Sequence, residues 1–209
     1  MINIDKLYDL MADKGFQEPR TGNLFFPAYI YTYPAEDEYE IRDQLHMLTE
    51  KLKRPNQFLD SLIINIYNEL IKYLKGVSFA GKSLFEQFVE KEKEDPKEAF
   101  YWIRDEINRE GDGFFAYLEK MVKEHFREEE LKRVYLVIYG FGSIYPYLRA
   151  SDFLKKTERL IKEFKVIIFY PGEYKSSKYN LFSLLDDDHM YRANNLNILL
   201  GEEPLYPKS

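Results

Sequence analysis

Two apolar runs of strand length constrain the fold more than any other feature of the sequence. Residues 134–139 (VYLVIY) and 166–170 (VIIFY) are rich in β-branched and aromatic side chains, and a segment of helical length separates them. This order is typical of a strand, a crossover helix and a second, parallel strand. The stretch 134–192 is therefore predicted to contain a βαβ unit.

Segments upstream predict further strands of the same sheet and a helix that covers it. Residues 29–33 (YIYTY), which Pro34 closes, form a strand-like run, and so do residues 62–67 (LIINIY). Between them, apolar residues at steps of four, three and four indicate an amphipathic helix; they are Ile41, Leu45, Leu48 and Leu52. We therefore expect an α/β fold with a mostly parallel sheet of about four to five strands, flanked by helices.

A long helical block interrupts this alternation. From residue 83 to about residue 127 the apolar spacing is helical, and breaks at Asp95-Pro96 and at residues 111–113 divide the block into about three helices. We expect it between the second and third strands, as a cap over the strand ends or a lateral subdomain, within a single α/β domain covering residues 1–209. Residues 179–185 are predicted to form a short helix or turn, and residues 191–199 a last edge strand.

Composition excludes several classes of protein. The chain has no cysteine, which rules out disulfides, zinc sites built from thiolates and cysteine nucleophiles. Its formal charge of −6 argues against a domain dedicated to nucleic acid, so DNA contacts are expected only indirectly or from local clusters such as Lys51, Lys53 and Arg54. No apolar run approaches the length of a membrane span and no signal segment follows Met1, so we expect a cytoplasmic protein without membrane contact.

Glycine-containing segments after the two strands define a candidate functional rim. Gly140-Phe141-Gly142-Ser143 follows the first strand, and Pro171-Gly172 follows the second. The carboxyl ends of parallel strands share one edge of a sheet, which is where open α/β sheets bind ligands. The candidate residues for ligand binding or docking on this rim are Gly140, Gly142, Ser143, Arg149, Pro171, Gly172, Tyr174 and Arg192.

The simpler interpretation of the rim glycines is that they form tight turns, because glycine readily adopts the positive φ that such turns require. The two rim arginines could bind a carboxylate or phosphate, or they could hold aspartates across the rim. Ser143 has no identifiable base, because the three histidines are scattered along the chain. We interpret residues 186–188, three aspartates, as a solvated turn, because consecutive residues do not point to one metal ion. The sequence predicts no catalytic residue, no cofactor and no metal site.

A phosphate-loop spacing occurs at residues 76–83 (GVSFAGKS), where the candidate phosphate-binding residues are Gly76, Gly81, Lys82 and Ser83. In a phosphate loop a strand leads into the loop and a helix follows, so that backbone N–H groups converge on the phosphates. Here the segment before the loop is predicted to be helical. Two interpretations stay open, a nucleotide-binding loop and a coincidental loop before the next helix.

Three blocks occur in order along the chain: GFGSIYPYLRASDFL, FYPGEY and LFSLLDDDHMYRA. They resemble the BrxB family of bacterial and archaeal BREX phage-defence systems, and a weaker similarity extends to YIYTYP. The family's pattern of two glycines, a proline and Arg-Ser-His is matched at Gly140, Gly142, Pro146 and Arg149, while Ser151 stands where the family has histidine. Further matches are Phe169, Tyr170, Pro171, Gly172, Tyr174, Leu181, Phe182, Tyr191, Arg192 and Ala193.

The resemblance implies a non-enzymatic component of a BREX-type anti-phage defence system. Its expected role is that of an interaction or adaptor module for a PglZ-type protein and an ATPase, in a system that also contains a DNA methyltransferase. The 18 tyrosines of the chain agree with this role, because interfaces favour tyrosine. The alternatives are a nucleotide-binding protein that uses residues 76–83 and a subunit that contacts DNA. The departure at Ser151 argues against catalysis by the family's histidine.

Overall fold

The described part of the chain alternates strands and helices. A computed structural model describes residues 4–17, 28–53, 59–126, 135–158, 165–175, 178–187 and 193–202. The strands are β1 (Ala28–Tyr33), β2 (Ser61–Asn65), β3 (Ser78–Phe79), β4 (Lys82–Ser83), β5 (Tyr135–Tyr139), β6 (Lys165–Lys175), β7 (Lys178–Leu181), β8 (Leu185–Asp186) and β9 (Asn194–Asn195). The helices are α1 (Ile4–Ala12), α2 (Lys14–Gln17), α3 (Glu38–Leu52), α4 (Ile66–Gly76), α5 (Leu84–Glu94), α6 (Pro96–Asn108), α7 (Phe114–His125), α8 (Phe141–Ile144), α9 (Ala150–Lys156) and α10 (Leu196–Leu199), with a 3-10 turn at Ala35–Asp37.

A parallel sheet lies at the centre of the molecule. Its strands follow the order β2-β5-β6-β1-β9, and each neighbouring pair is parallel. The predicted α/β fold with a mostly parallel, helix-flanked sheet is confirmed. The helical block α5 to α7 lies between β2 and β5, which are the second and third strands of this sheet along the chain. β3 and β4 form a separate antiparallel hairpin, while β7 and β8 add antiparallel strands at one end of β6.

The side chains of β6 alternate between two hydrophobic cores. Val166, Ile168 and Tyr170 belong to one core, and Ile167 and Phe169 belong to the other. Helices therefore cover both faces of the strand. This explains why the strand is a continuous apolar run in the sequence and not an alternation of apolar and polar residues.

Each face of the sheet has its own set of helices. On the first face, which we call the α3 face, the buried helical residues come from α1, α3 and α10: Leu7, Met11, Ile41, Leu45, Leu48, Leu52 and Leu196. On the opposite face, which we call the α4 face, they come from α4 to α9 and include Leu70, Leu84, Ile103, Leu118, Phe141 and Phe153. The alternation of strand and helix along the chain thus becomes a three-layer architecture.

Two buried carboxylates fasten the helical block to α4. The Tyr73 hydroxyl of α4 donates a hydrogen bond to Glu106 Oε1 of α6 at 2.5 Å. The Tyr117 hydroxyl of α7 donates to Glu69 Oε2 of α4 at 2.9 Å. Both carboxylates are buried, and charged acceptors of this kind make strong hydrogen bonds. The block is therefore held against α4, on the α4 face of the sheet.

One side chain continues the pairing of β1 where the short strand β9 ends. Asn197 Oδ1 accepts a hydrogen bond from Thr32 N at 2.9 Å, and Asn197 Nδ2 donates to Thr32 O at 3.0 Å. Asn197 lies in α10, directly after β9, and it is buried. Its amide thus makes the two hydrogen bonds that a further strand residue would make.

Three predictions of local structure are wrong in whole or in part. Pro171-Gly172 does not end its strand, because β6 continues to Lys175 and its last four residues pair with β7. Residues 179–185, predicted to form a short helix or turn, form a turn only at residues 182–184, and the rest belongs to the paired strands β7 and β8. Within the described part of the predicted edge strand, residues 193–199, only Asn194–Asn195 are extended, and α10 follows. The Asn195 side chain accepts a hydrogen bond from Ile198 N and caps that helix.

Candidate functional site

Gly140 directly follows β5 and lies against Asn65, the last residue of the neighbouring strand β2. It has φ +90°, and a Cβ atom on this residue would lie 2.7 Å from Asn65 Oδ1. Asn65 ends β2, and its side chain accepts a hydrogen bond from Asn68 N at 3.1 Å, which caps α4. Only glycine combines this backbone conformation with so close an approach.

The segment after Gly140 is a short helix. Gly142 and Ser143 lie in α8, and Ser143 is exposed. A Cβ atom on Gly142 would lie 2.8 Å from Cζ of Phe182 and 3.1 Å from Cγ of Pro171. Gly142 thus lies against both the ring of Phe182 and the ring of Pro171, where a side chain would not fit.

The turn between β7 and β8 and the first residue of β8, residues 182–185, project apolar side chains from the rim. We call residues 182–185 the apolar turn. Phe182 and Ser183 have φ of 54° and 58°, a region that non-glycine residues rarely adopt. Backbone hydrogen bonds hold this shape, including Phe182 N to Pro171 O at 2.9 Å. Leu184 is 84% exposed, and Leu185 is also exposed.

Asp187, directly after β8, anchors the apolar turn to the sheet. Its Oδ1 accepts a hydrogen bond from Ser151 Oγ at 2.6 Å, and its Oδ2 accepts one from the Tyr170 hydroxyl at 3.1 Å. Its backbone N donates to Tyr179 O at 2.9 Å. Three elements, α9, β6 and β7, therefore converge on one aspartate.

The interpretation of the three aspartates as a solvated turn is wrong for Asp187, which is only 5% exposed. Asp186 is exposed and Asp188 lies outside the described residues. Three identical neighbours give no local signal of which one is buried. Only the pairing of β7 with β6, which the sequence did not indicate, brings Asp187 to Tyr170.

Arg149 supplies a positive charge next to this carboxylate. Burial raises the pKa of Asp187, while the hydrogen bonds from Ser151 and Tyr170 and the charge of Arg149 oppose that rise. Arg149 directly precedes α9, and its positive charge acts on this buried aspartate. Arg192 lies outside the described residues.

A small pocket borders the same network. Water can reach about 10 Å³ of it, which is room for about one water molecule. Its lining consists of Phe141, Tyr145, Leu148, Arg149, Ala150, Tyr170, Leu181, Leu185, Asp186 and Asp187. A pocket of this size does not hold a nucleotide, since ligand pockets are typically about 300–1,000 Å³.

Gly172 and Tyr174 support the hairpin that carries the apolar turn. A Cβ atom on Gly172 would lie 2.0 Å from Asn180 O, so the backbones of β6 and β7 meet where a side chain would not fit. The ring of Tyr174 packs against Tyr179, with 4.7 Å between the ring centroids. Both residues therefore contribute to the packing of β6 against β7.

The 76–83 segment does not have the strand, loop and helix order of a phosphate loop. Gly76 is the last residue of α4, and the β3–β4 hairpin follows it. Gly81, with φ +81°, lies in the hairpin turn, and Lys82 Nζ contacts both carboxylate oxygens of Glu90 at 2.8 Å. The Ser83 side chain accepts from the backbone of Glu86 and caps α5. The serine and the lysine are both engaged within the protein.

Among the described residues, no group of three or more His, Cys, Asp or Glu side chains could hold a metal ion. The two described histidines lie apart from Ser143: His46 is on α3, and His125 Nε2 is 3.6 Å from Asp60 Oδ2. His189 lies outside the described residues. None of the helices in the described segments combines the length and the apolar character that crossing a membrane requires.

Comparisons with known proteins point to one family. A family model described as "BREX protein BrxB" matches residues 62–196, which include the rim, the apolar turn and the helical block. A BREX protein BrxB of Bacillus cereus (strain H3081.97) is 19% identical over 193 residues, covering 92% of this chain and 95% of that protein. A BREX protein BrxB of Escherichia coli O9:H4 (strain HS) is 24% identical over 172 residues, covering 80% of this chain and 76% of that protein. No solved structure matches. The chain belongs to the BrxB family of BREX proteins.

Proposed function

We propose that the chain is a non-catalytic interaction component of a BREX-type anti-phage defence system, and that it docks another protein of the system through the apolar turn. The observation that carries this proposal is the conformation of the turn. Phe182 and Ser183 hold a left-handed backbone that costs on the order of 1–3 kcal/mol per residue. That conformation presents Leu184 to solvent.

The support beneath the turn favours a rigid docking element. The Phe182 ring lies against Gly142, and the backbone N of Phe182 donates a hydrogen bond to Pro171 O. Asp187 fixes the end of β8 to Ser151 and Tyr170. A rigid element loses little conformational entropy on binding. Burying the Leu184 side chain in an apolar pocket of a partner contributes about 1.5–3 kcal/mol, a range whose upper part reaches that of an interface hot spot.

Membership of the family suggests which proteins the chain binds. A PglZ-type protein and an ATPase are the candidates that membership of a BREX system suggests. The engagement of Lys82 and Ser83 within the protein weighs against the alternative of nucleotide binding. The net charge of −6 weighs against a subunit that contacts DNA directly.

Binding of the purified chain to each candidate partner tests the proposal, with affinities measured by calorimetry. Leu184→Asp should weaken binding to one partner at least tenfold, because the new carboxylate would enter an apolar pocket. Phe79→Asp is the matched control, since Phe79 is also an exposed apolar residue at a hairpin turn. Equal affinities for the wild type and Leu184→Asp, or equal losses in the two variants, would refute the docking role of the turn.

A further inference from the structure

The outer side of α3 presents two large apolar side chains to solvent. Tyr39 is 79% exposed and Met47 is 67% exposed, although the opposite side of the same helix is buried in the core. The two residues are eight positions apart, which corresponds to about 12 Å along a helix. Asp43 is exposed and lies between them on the same side. Among the described residues, no other element covers this surface, which we call the outer α3 surface.

The outer α3 surface is acidic. Residues 36–53 contain six acidic and three basic side chains. All three bases are engaged with acids: Arg42 NH2 lies 3.0 Å from Glu38 Oε1, Lys51 Nζ lies 2.6 Å from Asp5 Oδ1, and Lys53 Nζ lies 3.5 Å from Glu50 Oε1. Six acids against three bases leave an acidic excess on this segment. Asp43 has no basic partner among the described residues.

Tyr39 is held in place from below. The Arg42 guanidinium lies 5.5 Å from the centroid of the Tyr39 ring and 5.8 Å from that of Tyr139, which is buried at the end of β5. Glu38 fixes the same guanidinium by accepting from its Nε at 3.0 Å. An aromatic ring ordered in this way loses less freedom on binding than a free side chain.

We propose that the outer α3 surface is a docking site for a basic amphipathic helix of a partner protein. Lysine or arginine side chains of that helix would face Asp43 and its acidic neighbours, and an apolar stripe would cover Tyr39 and Met47. The acidic charge argues against DNA, whose phosphates it repels. It argues equally against a second copy of this chain, because two such surfaces would place like charges together.

This site is separate from the apolar turn. α3 covers the α3 face of the sheet, whereas Tyr179 and Leu181 of β7 pack into the core on the α4 face. The residues matched by the family model, 62–196, do not include α3. One chain can therefore hold two partners at once, one at each surface.

The probe for this site is a labelled 18-residue helical peptide composed of leucine and lysine, with a matched peptide of leucine and glutamate. Fluorescence anisotropy gives the affinity of each for the full chain at two salt concentrations. The basic peptide should bind saturably and more weakly at high salt, since salt screens exposed charges. The acidic peptide should not bind.

A matched pair of double variants localises the site. Tyr39→Ser/Asp43→Lys should weaken binding of the basic peptide at least tenfold. Tyr101→Ser/Asp105→Lys should leave it unchanged, because it alters an exposed tyrosine and an aspartate four residues later on α6, with the same change of charge. Met47→Asp gives an independent loss of affinity, and circular dichroism verifies the fold of every variant.

Three results would overturn the proposal. One is the absence of saturable binding. The second is an equal loss of affinity in both double variants, which would mean a general attraction of a basic peptide to an acidic protein. The third is self-association of the wild type that Tyr39→Ser/Asp43→Lys abolishes, which would mean that a second copy occupies the surface.

Discussion

Replacement of Asp187 by alanine tests whether this aspartate anchors the apolar turn. The variant leaves the hydroxyl groups of Ser151 and Tyr170 without their acceptor in a buried site. Each unsatisfied buried donor costs about 1–3 kcal/mol, so we expect the free energy of unfolding to fall by about 3 kcal/mol. In a chain of this size about 1 kcal/mol changes Tm by roughly 2–4 °C, so Tm should fall by about 6–12 °C.

Urea denaturation gives the free energies for a double-mutant cycle. Ser151→Ala alone should cost about 1–2 kcal/mol, and the double variant Asp187→Ala/Ser151→Ala should cost about 1 kcal/mol less than the sum of the two single changes. Asp186→Ala is the control, because Asp186 is exposed and its contact with Lys178 Nζ is 3.7 Å long. It should change stability by less than about 0.5 kcal/mol. If Asp187→Ala changes the free energy of unfolding as little as Asp186→Ala does, the anchoring role is wrong. It is also wrong if the effects of Asp187→Ala and Ser151→Ala simply add in the double variant.

The same carboxylate gives the protein a pH-dependent stability. Burial raises the pKa of Asp187 in the folded protein. A raised folded-state pKa means that the contribution of the group to stability is complete below the unfolded-state value of about 3.9 and declines as the pH rises through the folded-state value. Asp187→Asn cannot ionise, so as the pH rises above the unfolded-state value the free energy of unfolding of the wild type should fall relative to that of the variant. Identical slopes in the two denaturation series would contradict this reasoning.

Other substitutions test separate parts of the fold. Gly140→Ala should destabilise the protein by more than about 2 kcal/mol, because a steric clash adds to the backbone strain. Gly111→Ala has a similar φ but open space around it, so it should cost only about 1 kcal/mol. Thermal denaturation distinguishes the two variants. Tyr73→Phe leaves the buried Glu106 with one hydrogen bond fewer, so chemical denaturation should show a loss of about 1–3 kcal/mol. Lys82→Ala removes an exposed, solvent-screened ion pair and should leave stability close to that of the wild type. Calorimetry with ATP and magnesium should detect no binding that depends on Lys82, and saturable binding that this change abolishes would restore the nucleotide hypothesis.

The long strands of the central sheet could be predicted because a buried strand is a continuous run of apolar residues in the sequence. Residues 166–170 are apolar without interruption, and the spacing of Ile41, Leu45, Leu48 and Leu52 matches the buried side of α3. Both signals are local, since they depend on which positions of one element face a core.

The β6–β7 hairpin and the aspartate network could not be predicted, because they depend on contacts between segments. Pro171-Gly172 has the composition of a turn, but Gly172 allows the carbonyl of Asn180 to approach, and the strand continues. Asp187 is buried only because β7 returns along β6. Residues 76–83 illustrate the opposite case. Their spacing matches that of a phosphate loop, but a helix and not a strand leads into them, so the loop geometry is different.

The Asn197 amide makes β1 unavailable for strand addition at Thr32, beyond the end of β9. Many proteins recruit a peptide by letting it pair with an open strand, and the same open edges promote aggregation. At Thr32 both backbone groups are already bonded to Asn197, so an incoming peptide would have to break two buried hydrogen bonds before it could form its own. Recruitment at this position must therefore proceed through side chains, which restricts partners to those with a complementary folded surface.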